Sequence, residues 1–135
     1  MKERAVAIGL KIPDNTAYTT FTTLRRLGVS VERVERYDIL HVREDDGATD
    51  DALRRRIERD ETLFNPNKHR LAILTNAAPR PGEVWIQTLG SEGGAMQHYV
   101  GWRLFGRDNQ PAPRETLAAA VEALLCNPAI ERAIY

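Results

Sequence analysis

The sequence predicts an α+β fold, with a predominantly antiparallel sheet and helices packed on one face. Three observations predict it. Segments of period-two alternation take turns with segments of helical spacing along the chain. The links between the later strands are of hairpin length, which favours antiparallel neighbours. Finally, the chain contains an internal repeat. Thr62-Leu63-Phe64-Asn65-Pro66-Asn67-Lys68-His69-Arg70 aligns with Leu124-Leu125-Cys126-Asn127-Pro128-Ala129-Ile130-Glu131-Arg132, an offset of 62 (127 − 65). The same offset pairs Tyr37 with Tyr99 and Asp46 with Asp108.

Each element has a local reason. Val6, Ile8, Leu10 and Ile12 alternate and read as a half-buried strand. Its other face, Ala5, Ala7 and Gly9, is small and flat, so another surface can approach it closely. Pro13-Asp14-Asn15 breaks the strand and offers caps for a helix carrying Ala17, Phe21, Leu24 and Leu27. Gly28 suits the C′ position of that helix. Its five threonines at 16, 19, 20, 22 and 23 are poor helix formers, so packing has to compensate.

A second strand is expected from Val29 through Val42. Adjacent Ile39 and Leu40 break its alternation, which signals a bulge or two covered faces. Thr49 or Asp50 caps a second helix with Leu53, Ile57, Glu61 and Phe64 on one side, and Asn65-Pro66 stops it. Leu71 to Leu74 form a third strand. Asn76 to Gly82, with two prolines and a glycine, is the clearest junction. Beyond it come strands around Val84–Leu89 and Tyr99–Phe105, a helix opened by Pro111-Ala112-Pro113, and a last strand over Ile130–Tyr135. The Gly90–Ala95 loop stands where the first copy has a helix. Two units follow, residues 1–76 (β-α-β-α-β) and 77–135 (β-β-α-β), packed as one pseudo-dimeric domain. The small face of the first strand is the expected seam.

Composition narrows the function. The 135 residues carry 19 basic and 19 acidic side chains, and zero net charge gives no general attraction to nucleic acid or an anionic membrane. A nucleic-acid-binding sheet is disfavoured further, because Val6-Ala7-Ile8 and Leu71-Ala72-Ile73 carry no stacking aromatic. The Ala5–Leu10 run is too short for a signal segment or a membrane span. One cysteine, Cys126, fits a reducing compartment, so a cytoplasmic location is expected.

Candidate chemistry is sparse. His41, His69 and His98 lie far apart and show no metal-ligand spacing, so no catalytic, cofactor-binding or metal residue is assigned. Cys126 takes the slot of Phe64 and reads as packing. Gly90-Ser91-Glu92-Gly93-Gly94 lacks the Lys-Ser/Thr of a phosphate loop and reads as a hairpin link. Arg54-Arg55-Arg56 is followed by Glu58, Asp60 and Glu61, the pattern of a solvated helix face. Arg33, Arg36 and Tyr37 are candidate partner-binding residues, although alternating Glu32, Arg33, Glu35 and Arg36 also suits an ion-pair ladder. Trp85 and Trp102 suit interface anchors or sheet packing equally.

Arg33-Val34-Glu35-Arg36-Tyr37 and the Leu-Leu-x-Asn-Pro-x-Ile-Glu pattern at Leu124–Glu131 carry a family resemblance. Residues 4–75 resemble a whole PurS-family protein, and residues 99–135 resemble its second half again. The usual Arg-x-Gly-Lys strand motif of the family is altered here, with Glu35 at the glycine and Arg36 at the lysine. The resemblance implies ferredoxin-like half-modules that pair through their sheets. It implies a non-catalytic small subunit of phosphoribosylformylglycinamidine synthase, bridging the large synthetase and glutaminase subunits in purine biosynthesis, and a homodimer. A ferredoxin-like, ACT-type small-molecule-binding module is the alternative. It would use the Ala5/Ala7/Gly9 face and the Pro13-Asp14-Asn15 loop.

Overall fold

The computed structural model describes all 135 residues. Strand β1 (Lys2–Leu10) is followed by helix α1 (Asn15–Arg26), β2 (Arg33–Glu44), α2 (Asp50–Glu58) and β3 (His69–Ile73). Then come β4 (Glu83–Thr88), β5 (Met96–Phe105), α3 (Arg114–Ala120) and β6 (Glu131–Ile134). The strands form one sheet in the order β3-β1-β2-β5-β4-β6, antiparallel at every junction. The fold is α+β, with all three helices over one face.

The helix caps follow from the sequence. Asp14 accepts from the Ala17 N–H at 3.0 Å and Thr49 from the Ala52 N–H at 3.2 Å, so each satisfies an orphan donor of the first turn. Gly28 adopts φ +89° just past α1, while the Val29 N–H returns to the Leu24 carbonyl. α2 is shorter than its apolar spacing suggests. It ends at Glu58, and Glu61–Phe64 turn in a separate loop. α3 begins three residues later than the prolines suggest and runs into a π-turn over Val121–Leu125.

The repeat is visible in the hydrogen bonds. Asn65 and Asn127 each close an Asx turn, accepting through Oδ1 from the N–H two residues on, at 2.9 and 3.1 Å. Their own N–H groups donate to side chains four residues ahead, His69 Nδ1 and Glu131 Oε1, both at 2.9 Å. So His69 and Glu131, different chemically, perform one structural task.

The strand register extends the correspondence. Ile8 pairs with Asp38 and Leu71, and Ile86 pairs with Val100 and Ala133, partners that are 62 residues apart in each case. Ile8 and Ile86 are therefore equivalent but 78 apart (86 − 8), so the second half is 16 residues shorter (78 − 62) between its first two strands. That interval holds α1 in the first half and only the glycine loop in the second. Asp38 and Val100, themselves equivalent, pair across β2 and β5 and mark a pseudo-two-fold axis. The seam is thus a strand edge, not the small face of β1. The reason is backbone chemistry: β2 and β5 are long strands whose unpaired N–H and C=O groups satisfy one another along ten residue pairs.

The helices divide the core unevenly. α2 covers Val6, Ile8, Leu40 and Val42 through Leu53 and Ile57. α1 and α3 share a larger cluster, in which Leu24, Leu117 and Leu125 pack with Val84, Ile86 and Leu104. α1, a first-half helix, thereby joins α3 over strands of the second half. Val29 and Val31, expected in β2, precede it and join this cluster. The expected equivalence of Leu63 and Leu125 does not extend to burial. Phe64 is buried in the first half while Leu63 is only partly so, because the turn after α2 and the π-turn after α3 present different positions inward.

The helix-free face is covered by chain. The β3–β4 linker crosses it, since those strands lie on opposite sides of the seam. Leu74 and Ala77 settle over Ala5, Ala7 and Ile39, which explains why β1 carries only small residues there. Ile39 and Leu40 are both buried, one under the linker and one under α2, so the broken alternation reflects two covered faces.

Candidate functional site

β1 and β2 stay paired only as far as Ile8 and Asp38, although β2 continues back to Arg33. β1 stays paired with β3 as far as Leu10 but parts from β2, and Pro13 and Asp14 then turn the chain into α1. A cleft of about 720 Å³ opens beside the uncovered stretch of β2. One wall is α1, with Ala17, Tyr18 and Phe21, and the other is the end of β3, with Arg70 and Ala72.

Four arginines line it, and three are engaged. Arg36 grips Asp14 through Nε at 3.1 Å and Nη2 at 3.3 Å, tying the cap of α1 to β2. Arg33 approaches Glu35 at 3.3 Å and lies 4.0 Å over the Phe105 ring. Arg80, on the crossing linker, stacks 4.7 Å from the Tyr37 ring and makes a two-point contact with Glu83, at 3.1 and 2.7 Å. Burial works against the Arg80 charge, but the hydrogen bond and charge of Glu83 outweigh it, so the guanidinium is held protonated more firmly than usual. Arg70 is exposed and has no carboxylate partner.

Tyr37 sits between these groups. Its ring lies against Gly9, where any Cβ would come 2.9 Å from the ring edge. Its hydroxyl donates to Glu35 at 2.7 Å. Burial first, then the Glu35 hydrogen bond and negative charge, push its pKa up to about 12, against weaker lowering by Arg80 and Arg103.

Of the sequence candidates, Arg33, Arg36 and Tyr37 meet in the cleft. The tryptophans do not. Trp85 is 2% exposed, packed against Tyr99 at 5.3 Å on the helix-free side, with an unpaired indole N–H. A residue so buried is core and cannot anchor a partner. Trp102 is half-buried against the cluster on the helix side. The two tryptophans therefore face opposite sides of the sheet. Glu32, Glu35 and Asp14 neutralise Arg25, Arg33 and Arg36 locally. Arg70 and Arg80 were not legible as site residues, because they come from distant segments that only the strand order unites.

The other polar groups serve structure. His98 meets Asp38 at 3.1 Å, and that hydrogen bond holds the Asp38 carboxyl below its usual range. The Cys126 thiol is pushed up by burial and then by Glu131, which disfavours the reactive thiolate. No helix is long and apolar enough to cross a membrane.

Compared with family models, with curated proteins and with solved structures, the chain gives no match.

Proposed function

We propose that the chain is a non-catalytic, PurS-like docking subunit, serving a cytoplasmic phosphoribosylformylglycinamidine synthase complex in purine biosynthesis. Its partners would be the large synthetase and the glutaminase, and two chains would associate as a homodimer. The observation that supports this reading most is the edge-to-edge joining of two similar halves about the Asp38–Val100 pair. The PurS resemblance implies modules that pair through their sheets, and a fused pair of modules would take this form.

Reconstitution tests it. Glutamine-dependent amidine formation should require this chain together with the large and glutaminase subunits, and the chain alone should turn over neither ATP nor glutamine. Turnover by the isolated chain, or full activity of the other two without it, would end the accessory-subunit reading.

The cleft favours a second reading, an ACT-type module whose ligand lies against Ala7, Gly9 and the Pro13-Asp14 turn. Its volume falls within the range of small-molecule sites. A rise in Tm on adding a free amino acid or nucleotide, with no effect in the reconstituted synthase, would favour this regulatory role over the first.

A further inference from the structure

The uncovered stretch of β2 is an unused docking edge as well as one side of a cavity. Successive strand residues direct their backbone groups to alternate neighbours. The Arg43 N–H bonds to Ala95 in the segment leading into β5, and the Leu74 N–H bonds to Ala5 from the β3 side. Odd residues of β2 thus face β5, and even residues face β1. Beyond Asp38, β1 no longer pairs, so the N–H and C=O groups of Arg36 and Val34 point into the cleft.

We propose that this edge receives an extended peptide segment of a partner protein, added as an antiparallel strand beside Val34 and Arg36, with alternating apolar and acidic side chains. The alternation follows from the walls. Residues opposite Val34 and Arg36 direct side chains to the helix side, against Ala17, Tyr18 and Phe21. The residue between them lies opposite Glu35, which Arg33 and Tyr37 already engage, and its side chain passes to the other side, where Arg70 lies next to Gly9 in register and lacks a carboxylate. An acidic side chain there completes a charge-assisted contact. Main-chain bonds supply affinity, and the two walls supply selectivity. The edge needs no purine enzyme for its chemistry, so the inference stands apart from the pathway reading.

Three synthetic probes test it: acetyl-Val-Glu-Val-Glu-Val-amide, its lysine counterpart, and the first peptide N-methylated at one residue. The acidic peptide should bind and slow hydrogen exchange at the Val34 and Arg36 amides. The lysine peptide should bind at least about tenfold more weakly, and Arg70→Glu should reverse that order. N-methylation at the central valine, whose N–H faces β2, should abolish binding, whereas N-methylation at a glutamate should leave it. This arm needs no protein variant that might misfold. Equal affinity for both charges, or binding without protection at Val34 and Arg36, would overturn the proposal. So would binding of citrate or inorganic phosphate with none of any peptide, or self-association through this edge that Val34→Pro abolishes.

Discussion

The first half of the chain has two helices for three strands, and the second half has one. The difference shows how two halves of a repeat come to share a core. α2 covers Val6, Ile8 and Val42, and α3 covers their register counterparts Val84, Ile86 and Leu104. They are 0%, 5% and 0% exposed, because α1 of the first half lies over them with α3. Joining β2 to β5 brings that helix within reach. A first-half helix thus adds to the cover of second-half strands, and the two halves need each other's burial to be stable.

The sharpest way to break this interdependence is at the linker that crosses from one half to the other. Arg80 holds Tyr37 of the first half and Glu83 of the second. Glu83 is 1% exposed, so Arg80→Ala leaves a buried carboxylate without its cation. We expect a loss of about 3–5 kcal/mol in urea unfolding. Glu83→Gln added to Arg80→Ala should recover much of it. A double variant as unstable as the single one would show that the pair does not hold the crossing.

Next in size is Leu24→Ala. The residue is fully buried on α1 but packs among second-half strands. The expected cost is about 2–5 kcal/mol. Its location is the sharper readout: hydrogen exchange should accelerate in β4 and β5, beyond the half that carries the mutation. Loss of protection confined to β1, β2 and β3 would mean that each half has its own core.

A smaller effect tests sameness. Asn65→Ala and Asn127→Ala remove the same Asx turn from equivalent places. Each should cost about 0.5–1.5 kcal/mol, and the two losses should agree closely. A large loss at one site and none at the other would separate the two turns energetically despite their shared geometry.

These positions also mark what the sequence discloses. The repeated Asn-Pro turns, the Asp14 and Thr49 caps, and the lost helix before β5 were all readable, because each depends on neighbours in the chain, whereas α2 ends at Glu58, well before the Asn65-Pro66 stop. The β2–β5 seam was not, since any long strand offers the same backbone edge. Nor was the reach of α1, whose stripe of Phe21 and Leu24 states that a partner surface exists but not whose it is. The cleft was half readable. Arg33, Arg36, Tyr37 and the Pro13-Asp14 break announced themselves locally. Arg70 and Arg80 joined them only through the strand order, and Trp85 looked available until the crossing linker was known.

The smallest expected effect lies at high pH and asks whether Tyr37 is as enclosed as its contacts imply. Gly9 lies against its ring, Arg80 stacks on it, and Glu35 accepts its proton. Tyr99, its counterpart in the repeat, donates instead to the neutral Gln97 at 2.9 Å. The neutral phenol of Tyr37 is favoured in the fold, with a pKa of about 12 against about 10 for a free side chain. The sign follows: the contribution is complete below about pH 10 and disappears as pH rises through 12. Half-exposure makes it modest, since water screens the partners. Absorbance of phenolate should therefore show a late ionisation step near pH 12 that Tyr37→Phe removes, with a decline in urea midpoint over the same interval that the variant lacks. A spectrum in which Tyr37→Phe deletes an early step instead would mean that water reaches the ring freely. The cleft would then be open on the Gly9 side as well as along the β2 edge.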